Sequence, residues 1–379
     1  MKRIYLDNAA STQLLPEVVE GMIRIMQEMP GNPSAIHKEG RSARAIIEDA
    51  RKKVAKMLNA SIGEIFFTSG GTEANNTAIK CAVRDLGITR MITTPIEHHA
   101  VLHSVESMHR DQDIELKFLS LDHQGRIDLS ELEALLQNQS KKTLVSIMYA
   151  NNEIGTLYPI ASIADVCDRY GAYLHTDAVQ AVGHIPIDLQ KIKVHFLSAS
   201  AHKFHGPKGV GILFIRNGVS IHPYIDGGSQ ERNMRGGTES THNIAGLSIA
   251  LDAAIQNLDA RDAHILHLKN YFKHSLLEFN PDIEINGDPV HSLNTILSVS
   301  FPPHPKSDML LLQLDIAGIS ASGGSACTSG AEAGSHVLAA LQHDPDRKTI
   351  RFSFSHLNTI EEIDQVLNHL QAWYPSVKV

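Results

Sequence analysis

Apolar residues recur at helical spacing early in the chain and then give way to short apolar blocks. Between positions 16 and 29 they fall at Val18, Val19, Met22, Ile23 and Met26, and Pro16 suits a first helical turn, so a helix is predicted there. A longer helix is predicted over 38–58, with Ile46, Ile47, Ala50, Val54, Met57 and Leu58 on one side. Seven blocks follow, EIFFT, MITTP, IELKFLS, TLVSIMYA, AYLHTD, VHFLSAS and VGILFI, separated by helical or loop stretches. Strands covered on both faces read as continuous apolar runs, so these blocks predict a mostly parallel seven-stranded sheet between helix layers. After a helix over 243–258 the texture changes to NTILSVSF, a Gly/Ser-rich stretch, KTIRFSFS and a terminal helix over 359–373. The expected organisation is an α/β fold with a large domain over 14–250. Segments 1–13 and 251–379 form a smaller α/β domain that carries the Gly/Ser loop.

Composition narrows the function classes. With 379 residues, 42% of them apolar, the chain has length for two or three domains and a full core. A net charge of −8 argues against nucleic acid or an anionic membrane surface as partner. No uncharged apolar run reaches the roughly 20 residues that a membrane span requires. The start, MKRIYLDNAAST, meets Asp7 before an apolar signal region forms, so a cytoplasmic protein is expected. Cys81, Cys167 and Cys327 are too few for a disulfide scaffold and wrongly spaced for structural zinc. The 22 histidines are scattered and form no HExxH string, so no metal site is expected.

Ligands in open α/β sheets bind beyond the carboxyl ends of strands, and four strand-end strings there carry chemistry. In FFTSGGTEANN, Ser69-Gly70-Gly71-Thr72 joins a strand to a helix. It reads equally as a capped turn or as a phosphate cradle of free N–H groups, and it matches neither a Walker A loop nor GxGxxG. In HTDAVQ, Asp177 with Gln180 nearby is a helix N-cap, or a carboxylate for a metal, a proton or a cation. In SASAHKFHGPKG, Lys203 beside Ser200 and His202 is a solvated lysine or an amine for a carbonyl cofactor. In SASGGSACTSG, Cys327 lies among small residues, unlike Cys81 and Cys167, which sit in apolar helices. It is a surface thiol or an accessible, reactive one. Pyridoxal phosphate requires a phosphate cradle, a lysine for its aldehyde and a carboxylate at its pyridine nitrogen, and it unites the first three strings.

The strings YLDNAAST, GNPSAIH, TSGGTEANN, EHHAVL, NNEIGTLYPI, HTDAVQAVG, SAHKFHGPKGVG, RGGTES and GSACTSG, in this order over nearly the whole chain, resemble the cysteine desulfurase family of the NifS/IscS kind. The resemblance implies a fold-type I pyridoxal-phosphate enzyme and a homodimer. It implies Lys203 as the Schiff-base lysine, Asp177 at the pyridine nitrogen and His98 stacked on the cofactor. Gly71, Thr72, Ser200 and His202 would face its phosphate, with Thr238 supplied by the other subunit, and Gln180 its phenolic oxygen. Asn152 would meet cofactor and substrate, Arg351 the substrate carboxylate, and Cys327 would take the sulfur as a persulfide. The activity implied is conversion of L-cysteine to L-alanine, with sulfur passed to an acceptor or scaffold protein for iron–sulfur assembly or thio-modification. Two departures from the family pattern stand out: Tyr158 replaces a common Gln, and Ala333-Gly334 replaces Glu-Pro.

Overall fold

The computed structural model describes residues 3–138, 140–323 and 334–373. In chain order the elements are β1 (Ile4–Tyr5), α1 (Pro16–Glu28), α2 (Lys38–Met57), β2 (Ile65–Thr68), α3 (Gly71–Leu86), β3 (Arg90–Thr93), α4 (His99–Gln112), β4 (Glu115–Phe118), α5 (Leu129–Leu136), β5 (Thr143–Ser146), α6 (Ile160–Arg169), β6 (Tyr173–Asp177), β7 (Phe196–Ser200) and β8 (Gly211–Ile215). There follow α7 (Thr241–Gln256), α8 (Leu258–Phe279), β9 (Glu284–Asn286), β10 (Ile296–Phe301), α9 (Leu310–Ile316), β11 (Ile319–Ser320), α10 (His336–Ala340), β12 (Lys348–Ser353) and α11 (Ile360–Trp373).

All seven apolar blocks are strands of one sheet, ordered β2-β8-β7-β6-β5-β3-β4. Only β8 runs against its neighbours. Successive strand side chains point to opposite faces, and here both faces are covered. Phe67, Ile92, Val145, Leu197 and Phe214 pack with α1, α2, α5, α6 and α7. Their chain neighbours Phe66, Met91, Leu144, Phe196 and Leu213 pack with α3 and α4. That two-sided burial is why the blocks read as unbroken apolar runs.

A second, antiparallel sheet, β12-β10-β9, has its own core. Phe272 on α8, Phe352 and Phe354 meet edge to face there at 5.0 and 6.2 Å between ring centroids. The helix α8 is absent from the sequence expectation. Its buried residues Ile265, Leu268, Phe272 and Leu276 keep helical spacing, but they alternate with so many polar residues that the stripe is narrow. The first residues of the chain join this second unit: β1 pairs in parallel with β11.

Candidate active site

A cleft with about 240 Å³ of solvent-accessible space lies at the carboxyl ends of the central strands. Ten of the residues singled out from sequence line it: Gly71, Thr72, His98, Asn152, Asp177, Gln180, Ser200, His202, Lys203 and Arg351. Thr238 does not; it is exposed on its own chain. Cys327 lies outside the described residues.

The strand ends explain the gathering. β2 ends at Thr68, and the chain turns through Gly70, whose φ of 153° favours glycine, into α3. A Cβ on Gly70 would meet only Ser200 Oγ, at 3.7 Å, so the missing side chain leaves room between the α3 N-terminus and β7. Free N–H groups at such a helix start suit an anion. Asp177 ends β6 and is buried, with Oδ2 accepting from Asn75 Nδ2 at 2.6 Å and Oδ1 from the Val179 N–H at 3.0 Å. The helix N-cap reading of Asp177 fails, because no helix follows β6; Oδ1 instead secures a turn, while the carboxylate lines the cavity.

Lys203 closes a 3₁₀ turn, Ala201–Lys203, just after β7. Its Nζ donates to the carbonyls of Ala9 at 2.5 Å and Ala10 at 3.0 Å, and Gln180 Nε2 donates to Ala9 at 2.9 Å. The DNAAST string therefore forms part of the cleft floor. His98 is the N-cap of α4, its Nδ1 accepting from the Ala100 N–H at 3.1 Å. Burial holds its pKa below the ordinary value against the attraction of Asp177, and Lys203 reinforces the drop, so the ring is kept neutral. Burial, with Lys203 and Lys208 nearby, pushes His202 down to about 4.

At the opposite wall Arg351 on β12 is buried. It donates to the Asn152 carbonyl at 2.7 Å and to Asp7 Oδ1 at 2.9 Å. Its Nε is buried with no hydrogen-bond partner among the described residues. A buried, planar cation with a spare donor suits a carboxylate ligand.

The sequence reading passed over several cleft residues. Asn75, His99, Glu153 and His336 also line it, and Glu97 lies behind, fully buried. His99 and His103 are spaced one helical turn apart on α4, a signal that a histidine count hides. Among the described residues no group of three His, Cys, Asp or Glu side chains is arranged to hold a metal ion. An amine, a carboxylate at 6% exposure and a helix N-terminus converge on one cavity. That donor set fits pyridoxal phosphate.

A fold of this kind with a lysine and a carboxylate at strand ends defines a class, and the chain belongs to the aminotransferase class-V family, whose model matches residues 4–366. Within it the chain stands among the cysteine desulfurases. It is 42% identical to the cysteine desulfurase IscS of Dictyoglomus turgidum, over 98% of this chain and 94% of that one. Among solved structures, a NifS-like protein has TM-score 0.91 at 38% identity, covering 98% of this chain and 99% of its own. SspA in complex with cysteine has TM-score 0.83 at 30% identity, covering 94% and 100%. No described helix is long and apolar enough to cross a membrane.

Proposed function

We propose that the protein is a cytoplasmic, homodimeric, pyridoxal 5′-phosphate-dependent cysteine desulfurase. It converts L-cysteine to L-alanine and passes the sulfur to Cys327, and from there to an acceptor or scaffold protein for iron–sulfur assembly or thio-modification. The observation that carries this reading is the convergence of Lys203, Asp177 and the Gly70–Thr72 turn on a cleft whose far wall holds Arg351. The division at positions 14 and 250 into large and small domains is part of the same proposal; two separate cores support it, with all of α7 and with Val337 and Leu341 packing in the first.

In this reading Lys203 is the amine for the cofactor aldehyde, Asp177 faces the pyridine nitrogen and His98 lies against the ring. Gly71, Thr72, Ser200 and His202 hold the phosphate, joined by Thr238 of a second copy, and Gln180 and Asn152 orient the rest. When bound, the cofactor draws electrons from the substrate and weakens its C–S bond. Arg351 grips the substrate carboxylate, and Lys203, once free, moves protons at the substrate Cα. The Cys327 thiolate attacks the substrate sulfur: an S–S bond forms, the C–S bond breaks, and the carbon keeps the electron pair and takes a proton to give alanine. The two described cysteines are unsuited to that role. Burial pushes Cys81 up to about 11 and Cys167 up to about 12, so both stay as thiols.

The test is incubation of cofactor-loaded protein with L-cysteine and a reductant, quantifying alanine and sulfide together. Equal amounts are expected. Lys203→Ala should lose the cofactor's visible absorption band in the free enzyme, and Cys327→Ser should keep it while losing sulfide release. Cofactor binding without either product would overturn the desulfurase reading.

A further inference from the structure

Buried polar atoms without partners are rare in folded proteins, and each calls for water or a ligand. Three of them stand together in this cleft. Glu153 Oε1, His336 Nδ1 and His99 Nδ1 are buried and have no hydrogen-bond partner among the described residues. All three side chains line the cavity.

Their other atoms fix them in place. Glu153 is 2% exposed and accepts from Ser335 Oγ through Oε2. Asn151 Oδ1 pins the Glu153 backbone N–H at 2.8 Å. His336 Nε2 lies 3.0 Å from the Glu97 carbonyl, a group that only accepts, so Nε2 carries the proton and Nδ1 is left as an acceptor. The rings of His336 and His99 are 4.4 Å apart, and those of His99 and His103 are 5.0 Å apart and stacked. Accessibility rises along this order: Glu153 is buried, His336 and His99 are half-buried, and His103 is exposed.

We propose that Glu153, His336, His99 and His103, bridged by water, form a proton relay between the cleft and bulk solvent. The inference rests on the desulfurase reading above. There the attacking thiol sheds a proton and the carbon that loses sulfur gains one, so the net release is zero. Donor and recipient are nevertheless different atoms, and a path to solvent serves both. The charged and titratable groups around the row are Glu97 and His98 before α4, Asp177 and Lys203 at the ends of β6 and β7, and Arg351 on β12. Burial raises the Glu153 pKa, opposed by the Ser335 hydrogen bond and then by His336 and Arg351, while burial and the neighbouring imidazoles lower that of His99. The two proton affinities are drawn towards each other, as transfer between them requires.

The experiment measures alanine formation by the cofactor-loaded enzyme in dilute buffer, with and without added imidazole. His336→Gln and His99→Gln are expected to lower kcat about tenfold or more in dilute buffer and to recover with imidazole, with KM and cofactor absorbance unchanged. His103→Gln, at the exposed outer end, should show a smaller loss that imidazole also restores, and it guards against misfolding of the inner variants. Full activity in these variants, or a loss that imidazole does not move, would overturn the relay alone. A wild-type enzyme that makes no alanine from cysteine would overturn both readings.

Discussion

Glu97 shows what a single residue owes to its surroundings. It sits between a strand and the cleft histidines, where a charged glutamate would ordinarily face water. Instead it is fully buried, with Oε1 accepting from Thr94 and the Met148 N–H, and burial raises its pKa to about 8. A carboxyl that holds its proton more tightly when folded gives stability that is complete below about pH 4.5. That stability is lost as pH rises through about 8, because the folded chain binds the extra proton in that window. Glu97→Gln, which is neutral throughout, should flatten the part of the decline in urea midpoint between about pH 5 and about pH 8 that this group causes. An unchanged decline in the variant would show that Glu97 is not its source. The sequence displayed Glu97 in EHHAVL but not its burial, because the partner that satisfies it, the Met148 N–H, arrives from 51 residues away.

At the scale of elements, the apolar blocks located every strand of the central sheet, because two-sided burial imprints itself on composition. Direction was less visible. The ten residues between β7 and β8 include only a 3₁₀ turn, too little for a crossover, so β8 returns antiparallel, and the reversal carries Lys203. This hairpin depends on a close approach. A Cβ on Gly211 would fall 2.5 Å from the Ala199 carbonyl oxygen and 2.7 Å from Gly70 Cα, backbone atoms that cannot step aside. Gly211→Ala should cost about 1–3 kcal/mol in thermal or urea unfolding and weaken cofactor binding by displacing the Gly70 turn. Normal cofactor affinity in that variant would show that the turn does not depend on β8.

The whole molecule is tied together by residues 6–10. Leu6 donates to Ser320 at 2.9 Å, Asp7 binds both Arg351 and Ser322, Asn8 donates to Ser353, and the Ala9 and Ala10 carbonyls hold Lys203. One short segment therefore bridges the second sheet and the proposed catalytic lysine. Deleting residues 1–8 should lower the melting temperature and abolish cysteine turnover while leaving most far-ultraviolet helical signal. Retained turnover would show that Arg351 and Lys203 keep their places without the tie.

What the sequence determined by itself was local: helix and strand periodicity, the glycine turn, and a lysine and a carboxylate near strand ends. These follow from backbone geometry, whose repeats of 3.6 and 2 residues are written into neighbouring positions. Only the tertiary structure decided the rest. It paired Asp177 with Asn75 and Arg351 with Asp7, the latter 344 residues apart in sequence. It also buried Glu97 and Glu153 and set His336 against His99. Hydrogen bonding and desolvation depend on which distant elements close around a group, and no spacing along the chain encodes that.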